Sequence, residues 1–549
     1  MQEWIVTLHK KEDLEEFYYD METPGGDLYI PDRAVDLVDR RPISRNTHYM
    51  LSDEEAEQLR KDERVLDVQP LPSALGIKVI RAWEQTSNFE KSTSIDSNDK
   101  NWGLYRVTEG ATVANWGRDA TTQISNRYIA TTSSGKNVDV VIVDAHINPN
   151  HPEFAVNPDG SGGSRVNLID WFGQYASLAG LSVSGAYEYS AVSSNHGTHV
   201  AGTACGNTQG WARDSNIYNM EFGYAGSNAP LNWELRIFDL IRAFHENKPI
   251  NPATGRRNPT ITNHSWGYSY GDIPLSALSE VYYRGTAIPL TGTDAQKKAT
   301  LELNGVPVPA NTYLNSTPYT YPALNADVED AIADGVIVVC AAGNSYWNVG
   351  TPSSSDWNNY VLAGGSSYIS TARGMSPGAP NTGAIVVGNI SAYTNEVKRS
   401  SSNFGAGIDI WAPGSHIVSA VYDTSASGEF GIVLANDPRN SIYKLGSISG
   451  TSMASPQVCG LLACYAEQNP GLTQEEAKQY LIDTSLKDEV GSSGSDYGDY
   501  FWFGDEGNNR YLYYKKHRPL EGAQIPRGDF KNRPLSGKVY PRQRVRRRG

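Results

Sequence analysis

Three polar side chains lie in segments whose local pattern suits acid–base and nucleophilic chemistry. Asp144 ends the apolar run VVIVDA, His196 opens HGTHVAGTACG, and Ser452 lies where SGTSMASP enters a long apolar helix. A carboxylate that ends a buried strand emerges at the sheet edge where α/β folds place their sites. A serine at a helix N-terminus lies beside unpaired N–H groups, which stabilise negative charge on an attacked carbonyl. Together these residue types predict acyl transfer by an Asp/His/Ser set.

Each segment also has a purely structural explanation. Asp144 can cap the turn after its strand and Ser452 can cap its helix, since both residue types are common there. His196 and His199 are three positions apart, so they can be structural or bind a metal, although no acid of the H-E-x-x-H kind accompanies them. Capping explains a hydroxyl at position 452 but not the Gly-Thr turn and the small residues around it.

The order of the candidates along the chain distinguishes two hydrolase architectures. An α/β-hydrolase has serine, acid and histidine in that order, but the only histidine after Ser452 is His517, in a basic tail. The order Asp144, His196, Ser452 is that of subtilisin. With AAGN at 341–344, the motifs VVIVDA, HGTHVAGTACG and SGTSMASP resemble those of the subtilisin-like serine proteases, the subtilase or S8 peptidase family.

The resemblance implies a role for each matching residue. Asp144 would orient the imidazole, His196 would act as general base and then acid, and Ser452 would be the nucleophile. The oxyanion hole would consist of the Asn344 amide and the Ser452 backbone N–H, and no cofactor or metal is implied. The resemblance further implies that an extended peptide adds as an antiparallel strand to an edge formed by Ser265, Trp266 and Gly267.

The sequence departs from the family pattern in three places. Ala145-His146 follows Asp144 where the family usually has Ser or Thr and then Gly, so one support of the carboxylate is expected to be missing. Gln457 stands where a histidine usually follows SMASP. After GTACG the chain continues as NTQGWARDSN, without the loop that binds calcium in many relatives, and calcium is therefore not predicted.

Apolar runs alternate with helical stretches from Trp102 to about Ser485. Runs without period-2 alternation are typical of parallel strands buried on both faces, so the pattern predicts an α/β fold with a mainly parallel central sheet. The resemblance makes this the three-layer subtilisin-like fold, over residues 102–488. Two Ser/Thr/Pro/Gly/Asn-rich stretches, at 268–322 and 345–381, are interpreted as surface insertions.

Residues 1–80 predict a separate small α+β domain of ferredoxin-like type. Leu14, Phe17, Tyr18 and Met21 have the spacing of one helix face, and Ser52 with Glu55 forms a capping box. This domain resembles the inhibitor-type (I9) propeptide of the family, which would make it the chain's own inhibitor and chaperone. Residues 81–101 are interpreted as a linker, with self-cleavage between 72 and 101. The alternative is an accessory domain that is never removed.

Composition and charge restrict the class of protein. The chain has 549 residues, 39% of them apolar, which is ample material for a large core. The net charge of −14 argues against a general nucleic-acid binder. The four cysteines lie in apolar or small-residue segments, which predicts buried free thiols. Neither a secretory signal nor a membrane span is evident, so a cytoplasmic location after synthesis and no membrane partner are expected.

Residues 489–549 are Tyr/Gly-rich and then basic, and we interpret them as a C-terminal extension. The extension could bind an acidic partner, nucleic acid or the acidic N-terminal domain, or be a disordered end. Its texture resembles subtilases that tailed bacteriophages carry in their virions. Two hypotheses follow: a self-processing serine endopeptidase that cleaves proteins or peptides, and a structural or binding component, for example of a virion, on a subtilase frame.

Overall fold

The computed structural model describes residues 1–29, 37–40, 46–70, 102–110, 131–181, 183, 185–192, 194–222, 226, 236–306, 312–364, 367–391, 396–422, 431–491 and 508–515. The chain divides into two compact units, Met1–Ala82 and Trp83–Gly549. The predicted linker at 81–101 and the predicted cleavage region at 72–101 lie outside the described residues.

The N-terminal unit follows the element order β-α-β-β-α-β, which is that of the ferredoxin-like sandwich. Its strands pair in the order β2-β3-β1-β4. The first helix buries the four apolar residues of its predicted face, and the second begins with the predicted Ser52/Glu55 capping box. The elements are β1 (Gln2–Leu8), α1 (Leu14–Glu22), β2 (Leu37–Arg40), β3 (Asn46–Leu51), α2 (Asp53–Leu59) and β4 (Val65–Pro70).

The second unit is built on a central sheet, and the predicted mainly parallel arrangement is confirmed. Its strand order is β21-β22-β17-β16-β13-β8-β5-β7-β6, and all neighbours are parallel except β21 and β22. The strands are β5 (Asp139–Asp144), β6 (Val166–Asn167), β7 (Asn216–Glu221), β8 (Thr260–His264), β13 (Ile337–Ala341), β16 (Ile385–Ile390), β17 (Ile410–Pro413), β21 (Leu486–Lys487) and β22 (Arg510–Tyr511).

Helices cover both faces of the central sheet. Val140 and Ile142 of β5 belong to one hydrophobic core together with α4 and α8, whereas Val141 and Val143 belong to a second core with α5 and α7. Successive strand residues point to opposite faces, so a strand with helices on both sides is apolar throughout. The helices of this unit are α3 (Trp102–Glu109), α4 (Asn195–Cys205), α5 (Ile237–Asn247), α6 (Asp294–Leu303), α7 (Pro322–Ala333), α8 (Thr451–Gln468) and α9 (Gln474–Thr484).

The two stretches interpreted as insertions share one antiparallel sheet, which we call the insertion sheet. Its order is β11-β10-β14-β15, so strands from 268–322 pair directly with strands from 345–381. The sheet and α6 enclose a hydrophobic core of their own, which includes Leu275, Val281, Leu301 and Val361. The strands of this region are β9 (Ile273–Pro274), β10 (Leu278–Tyr283), β11 (Thr286–Pro289), β12 (Tyr313–Leu314), β14 (Tyr360–Ala363) and β15 (Ser367–Ser370).

A third antiparallel sheet leads directly into α8. Its order is β18-β20-β19. The helix α4 packs against β18, and β20 ends four residues before Ser452. The strands are β18 (Ile417–Val421), β19 (Gly431–Asp437) and β20 (Asn440–Ile448). The element that carries the candidate base and the chain leading to the candidate nucleophile therefore meet at this sheet.

The central sheet extends beyond residue 488, where the sequence pattern placed the end of the catalytic domain. β22 lies in the predicted C-terminal extension and pairs with β17 and β21. Tyr511 is fully buried, and the guanidinium of Arg106 lies 4.3 Å from the centre of its ring. The sequence of this Tyr-rich segment is typical of a tail. Burial of the large Tyr511 ring explains why the segment packs against the core instead.

Two further predictions concern thiols and membranes. All four cysteines are buried and free, which confirms the prediction from their apolar surroundings. In the part of the chain that the structure describes, none of the helices combines the length and apolar character needed to cross a bilayer.

Candidate active site

Asp144 and His196 meet at the carboxyl edge of the central sheet. Asp144 is the last residue of β5 and is 4% exposed, and His196 lies in the first turn of α4, where Ser194 caps the helix. His196 Nδ1 lies 2.7 Å from Asp144 Oδ1. An Nδ1–H that donates to this carboxylate leaves Nε2 as the basic atom of the imidazole. The pair therefore has the geometry of a carboxylate-oriented base.

The carboxylate of Asp144 is held from one side. The backbone N–H of Ala145 donates to the same Oδ1 at 2.8 Å, whereas the buried Oδ2 accepts no hydrogen bond from any described residue. Ala145 has no side-chain hydroxyl, so it offers this carboxylate only its backbone N–H. His146, which follows, contacts the Ser190 carbonyl through Nδ1 and lies with its ring centre 5.3 Å from that of Tyr189.

Ser452 is the second residue of α8, where the helix offers N–H groups without intrahelical acceptors. Its hydroxyl donates to the Ser265 carbonyl at 3.2 Å, and the Ser265 hydroxyl donates to the Ser452 carbonyl at 2.9 Å. The Ser265 hydroxyl in turn accepts from Asn263 Nδ2 at 2.9 Å. This reciprocal pair fixes the start of α8 against the end of β8, next to the cavity.

Asn344 follows β13, and its side chain is held against the start of the same helix. Its Oδ1 accepts from both the backbone N–H and the hydroxyl of Thr451, each at 2.9 Å. Because the oxygen of the amide is occupied by Thr451, Nδ2 is the group left to donate to a ligand. Asn344 lines the same cavity as Ser452, as an oxyanion-hole residue must.

Asn403 braces the loop that carries Asn344, and sequence reasoning assigned it no role. Its Nδ2 donates to the Ala342 carbonyl at 2.7 Å, and its Oδ1 accepts from the N–H groups of Ser345 and Trp347 at 3.2 and 2.8 Å. Asn403 is fully buried, so these contacts are shielded from water. Its position just ahead of the segment that leads into β17 is the local signal that could have found it.

Ser265, Trp266 and Gly267 follow β8, and the first two line the cavity. Met375, from the second predicted insertion, reaches this region. A side chain at Gly267 would meet Met375 Cβ at 2.9 Å, and one at Gly343 would meet Met375 Cε at 2.5 Å. The thioether therefore lies between the two segments that flank the cavity. Sequence reasoning missed Met375, because nothing local links it to β8 or β13.

All of the candidate catalytic, oxyanion and substrate-binding residues except Gly267 line a cavity of about 390 Å³. Phe222, just past the end of β7, contributes a ring stacked 4.1 Å from that of Trp266. Its position directly after a strand could have suggested Phe222 as a cavity residue from the sequence. The lining consists of Asp144, Ala145, His196, Phe222, Ser265, Trp266, Asn344, Ile448, Ser449, Ser452 and Met453. Gly267 lies outside this lining.

The second histidine of the pair has a structural position. His199 is fully buried, and its Nε2 lies 2.7 Å from the Ile417 carbonyl of β18. Burial lowers the pKa of His199 to about 3, so the imidazole is neutral at ordinary pH. The structure gives no cluster of three His, Cys, Asp or Glu side chains suited to a metal ion in the ranges it describes.

Gln457, the second departure from the family pattern, has a partner of its own. Its Oε1 accepts from the indole N–H of Trp211 at 2.6 Å inside the core beneath α8. Gln457 is 1% exposed and thus serves the packing of α8 rather than the cavity.

The chain is similar in sequence to known proteases. Alkaline serine exoprotease A of Vibrio alginolyticus is 23% identical over 442 residues, which cover 80% of this chain and 55% of that protein. Alkaline protease 1 of Emericella nidulans is 26% identical over 367 residues, which cover 66% of this chain and 60% of that protein. The chain thus spans little more than half the length of these relatives.

A solved cold adapted subtilisin-like serine proteinase is 21% identical, with a TM-score of 0.44, and the match covers 77% of this chain and 100% of that one. The chain also matches a protein family. The Peptidase_S8 family, described as the subtilase family, matches residues 135–508, which is more than half of the chain and includes every candidate catalytic residue. The chain therefore belongs to the subtilase family.

Proposed function

We propose that the chain is a serine endopeptidase that hydrolyses peptide bonds through Asp144, His196 and Ser452. The observation that carries the proposal is the 2.7 Å contact between Asp144 and His196 in a cavity that Ser452 and Asn344 also line. Family membership supports it, and the curated relatives are named as proteases. The substrates would be proteins or peptides bound in extended form along Ser265, Trp266 and Gly267.

The reaction proceeds in two half-steps. The Ser452 hydroxyl turns from the Ser265 carbonyl, gives its proton to His196 Nε2, and its oxygen attacks the carbonyl carbon of the peptide bond. Asn344 Nδ2 and the Ser452 backbone N–H stabilise the oxyanion. The C–N bond breaks as His196 protonates the leaving amine, which leaves an acyl ester on Ser452. Water then attacks the ester, with His196 taking its proton and returning a proton to the Ser452 oxygen.

We further propose that the N-terminal unit is a propeptide that inhibits the catalytic unit and assists its folding. Its compactness as a separate unit and its β-α-β-β-α-β order support this role. A parallel sheet has many contacts between distant residues and folds slowly, so a template would help. Cleavage between 72 and 101 would release the active enzyme.

The test is labelling of the purified protein with a fluorophosphonate, followed by intact-mass measurement. We expect one adduct, on Ser452, and an N-terminus within 72–101. Ser452→Ala should lose both the adduct and the cleavage, whereas Ser449→Ala, another serine of the cavity lining, should keep both. Folded protein that neither reacts nor is processed would contradict the proposal. Family membership does not favour the alternative of a structural or virion component, for which Ser452→Ala would change nothing.

A further inference from the structure

A row of aromatic rings leads from the cavity onto the first insertion. It begins at Trp266, which lines the cavity, and continues through Tyr268, Tyr321, Tyr319 and Tyr270. Consecutive ring centres lie 6.0, 6.2, 5.8 and 4.8 Å apart. We call these five residues the aromatic row. Such spacing is that of rings in mutual contact, so the row is continuous.

Backbone hydrogen bonds hold the row in place. The Tyr319 N–H donates to the Tyr268 carbonyl at 3.0 Å, and the Tyr270 N–H donates to the Thr317 carbonyl at 2.8 Å. From the second insertion, the Ser376 carbonyl accepts the Tyr268 N–H at 3.1 Å. The rings therefore stand on paired backbone that both insertions supply, and little ordering is needed when a ligand binds.

The outer end of the row is not needed for packing. Tyr270 is 47% exposed and Tyr319 is half-buried, and neither belongs to any hydrophobic core of the described residues. The core under the insertion sheet consists of aliphatic residues from β10, β11, β14 and α6 instead. Contiguous aromatic rings at the surface that pack no core are typical of a binding surface.

We propose that the aromatic row binds the part of a polypeptide substrate upstream of the residues that pair with Ser265–Gly267. This inference rests on the proposed function. In an antiparallel pairing the substrate runs opposite to the chain, so protein numbers rise as substrate positions move toward the N-terminus. With the attacked carbonyl beside Ser265, Tyr268 and Tyr270 lie opposite about the fourth to sixth residues before the scissile bond.

The ligand is thus an extended polypeptide with apolar or aromatic side chains at these upstream positions. Phenol rings offer a wide apolar face with a polar edge, which suits side chains of varied shape at a low cost in ordering. The cavity performs the chemistry on the peptide bond, and the row supplies affinity and selects for chain length. Short peptides would be cleaved without this contribution.

The experiment compares peptides that share four residues before the scissile bond and extend upstream by zero, two or four residues carrying Leu. We expect kcat/KM to rise by about 2- to 10-fold from the shortest to the longest peptide. In the double variant Tyr270→Ala, Tyr319→Ala this gain should vanish while the shortest peptide is cleaved at an unchanged rate. The double Tyr→Phe variant should retain the gain, because it keeps the rings.

Tyr282→Ala is the matched control. Tyr282 stacks on Tyr360 at 5.0 Å within the insertion sheet but is not part of the row. This variant should leave the length dependence intact. A gain that persists in the Tyr270/Tyr319 double Ala variant, or that is also lost in Tyr282→Ala, would overturn the proposal.

A binding measurement separates this inference from the proposed function. Fluorescence anisotropy of the same peptides with Ser452→Ala protein reports the dissociation constant without turnover. Tighter binding of the longer peptides that depends on Tyr270 and Tyr319 supports the row even if the unmodified protein cleaves nothing. If the unmodified protein cleaves all the peptides but the Ser452→Ala protein binds them with equal affinity, the role of the aromatic row is overturned and the proposed function stands.

Discussion

The proposed catalytic centre and the insertion sheet differ in how their residues are held. Asp144 and Ser452 lie at the ends of elements whose neighbours belong to two large cores, one on each face of the central sheet. The insertion sheet covers one small core of its own. A strand packed on both faces cannot shift without disturbing both cores, so it positions chemistry well. An antiparallel sheet with a small core can be remodelled without moving the proposed catalytic residues.

The two regions are connected at a few contacts. Met375 of the second insertion lies against Gly267 and Gly343, beside the cavity, and the aromatic row begins at Trp266. We therefore propose that the insertions shape substrate recognition, whereas the strand ends and helix starts of the central unit perform catalysis. The comparison predicts that changes in the insertions alter specificity and that changes in the proposed catalytic centre alter turnover.

The largest effect should come from Asn344→Ala. Loss of the amide donor should lower kcat by about 100- to 1,000-fold, the loss known for one such donor in another member of this family, with little change in KM. Asn348→Ala is the control, since its amide donates to Asp356 on the insertion side of the same loop. Steady-state kinetics on one peptide measures both. A similar loss of kcat in the Asn348→Ala control would mean that turnover also depends on the insertion side of this loop, against the prediction.

Asn403→Leu should lower kcat by about 10- to 100-fold, because the loop that carries Asn344 loses its brace and the oxyanion donor is misplaced. Asn403→Asp keeps acceptors for the Ser345 and Trp347 N–H groups but loses the donor to Ala342, so its loss of kcat should be smaller. Thermal unfolding of both variants tells misplacement from general destabilisation. Unchanged kcat in a destabilised Asn403→Leu protein would refute the positioning role.

Met375→Ala should change specificity instead of turnover. Removal of the thioether from between Gly267 and Gly343 opens space beside the attacked carbonyl. For peptides with Phe as the residue before the scissile bond, kcat/KM should therefore rise about tenfold relative to peptides with Ala at that position. The ratio of the two rate constants is the measurement. An unchanged ratio would show that Met375 does not limit the space available to the substrate.

Acid should destabilise the central unit before the insertion sheet. Burial lowers the pKa values of His199 and His264 to about 3, below the ordinary value of 6.5, so the unfolded chain binds protons more readily. Their contribution to stability is complete above pH 6.5 and is lost as the pH falls toward 3, by up to about 1.4 kcal/mol per pH unit for each group.

Neither insertion, 268–322 or 345–381, contains a histidine, which makes the contrast testable. Hydrogen exchange between pH 7 and pH 5 should accelerate in α4 and β8 more than in β10 and β14, after correction for intrinsic rates. His199→Gln should reduce the pH slope of the free energy of unfolding. Equal acceleration in both regions would argue against these histidines as the cause.

The smallest effects come from a matched pair of core substitutions, Ile261→Val in β8 and Ile288→Val in β11. Both residues are buried, and each change should cost about 0.5–1.5 kcal/mol. Ile261→Val should lower the global free energy of unfolding, whereas Ile288→Val should raise exchange only in the insertion sheet. Urea unfolding and hydrogen exchange distinguish the two outcomes. A global effect of Ile288→Val would mean that the two regions unfold together.

Much of the secondary structure was predictable because its signals are local. The helix face of α1 and the Ser52/Glu55 cap follow from spacing over a few residues, and apolar runs indicated buried parallel strands. The pairing of β10 with β14 was not predictable, because about 80 residues separate the two strands and neither carries a signal for its partner. The burial of Tyr511 was missed for the same reason.

Local pattern was enough to name Asp144, His196 and Ser452 as candidates, since residue type and strand-end or helix-start position are written in short segments. Asn344 was named only through the resemblance of the AAGN motif to the subtilase family. Spatial packing alone assigned different environments to His196 and His199, which are equivalent as a sequence pair. It also brought Asn403 and Met375 to the loop of Asn344. These contacts depend on which distant surfaces meet when the cores close, and no short segment contains that information.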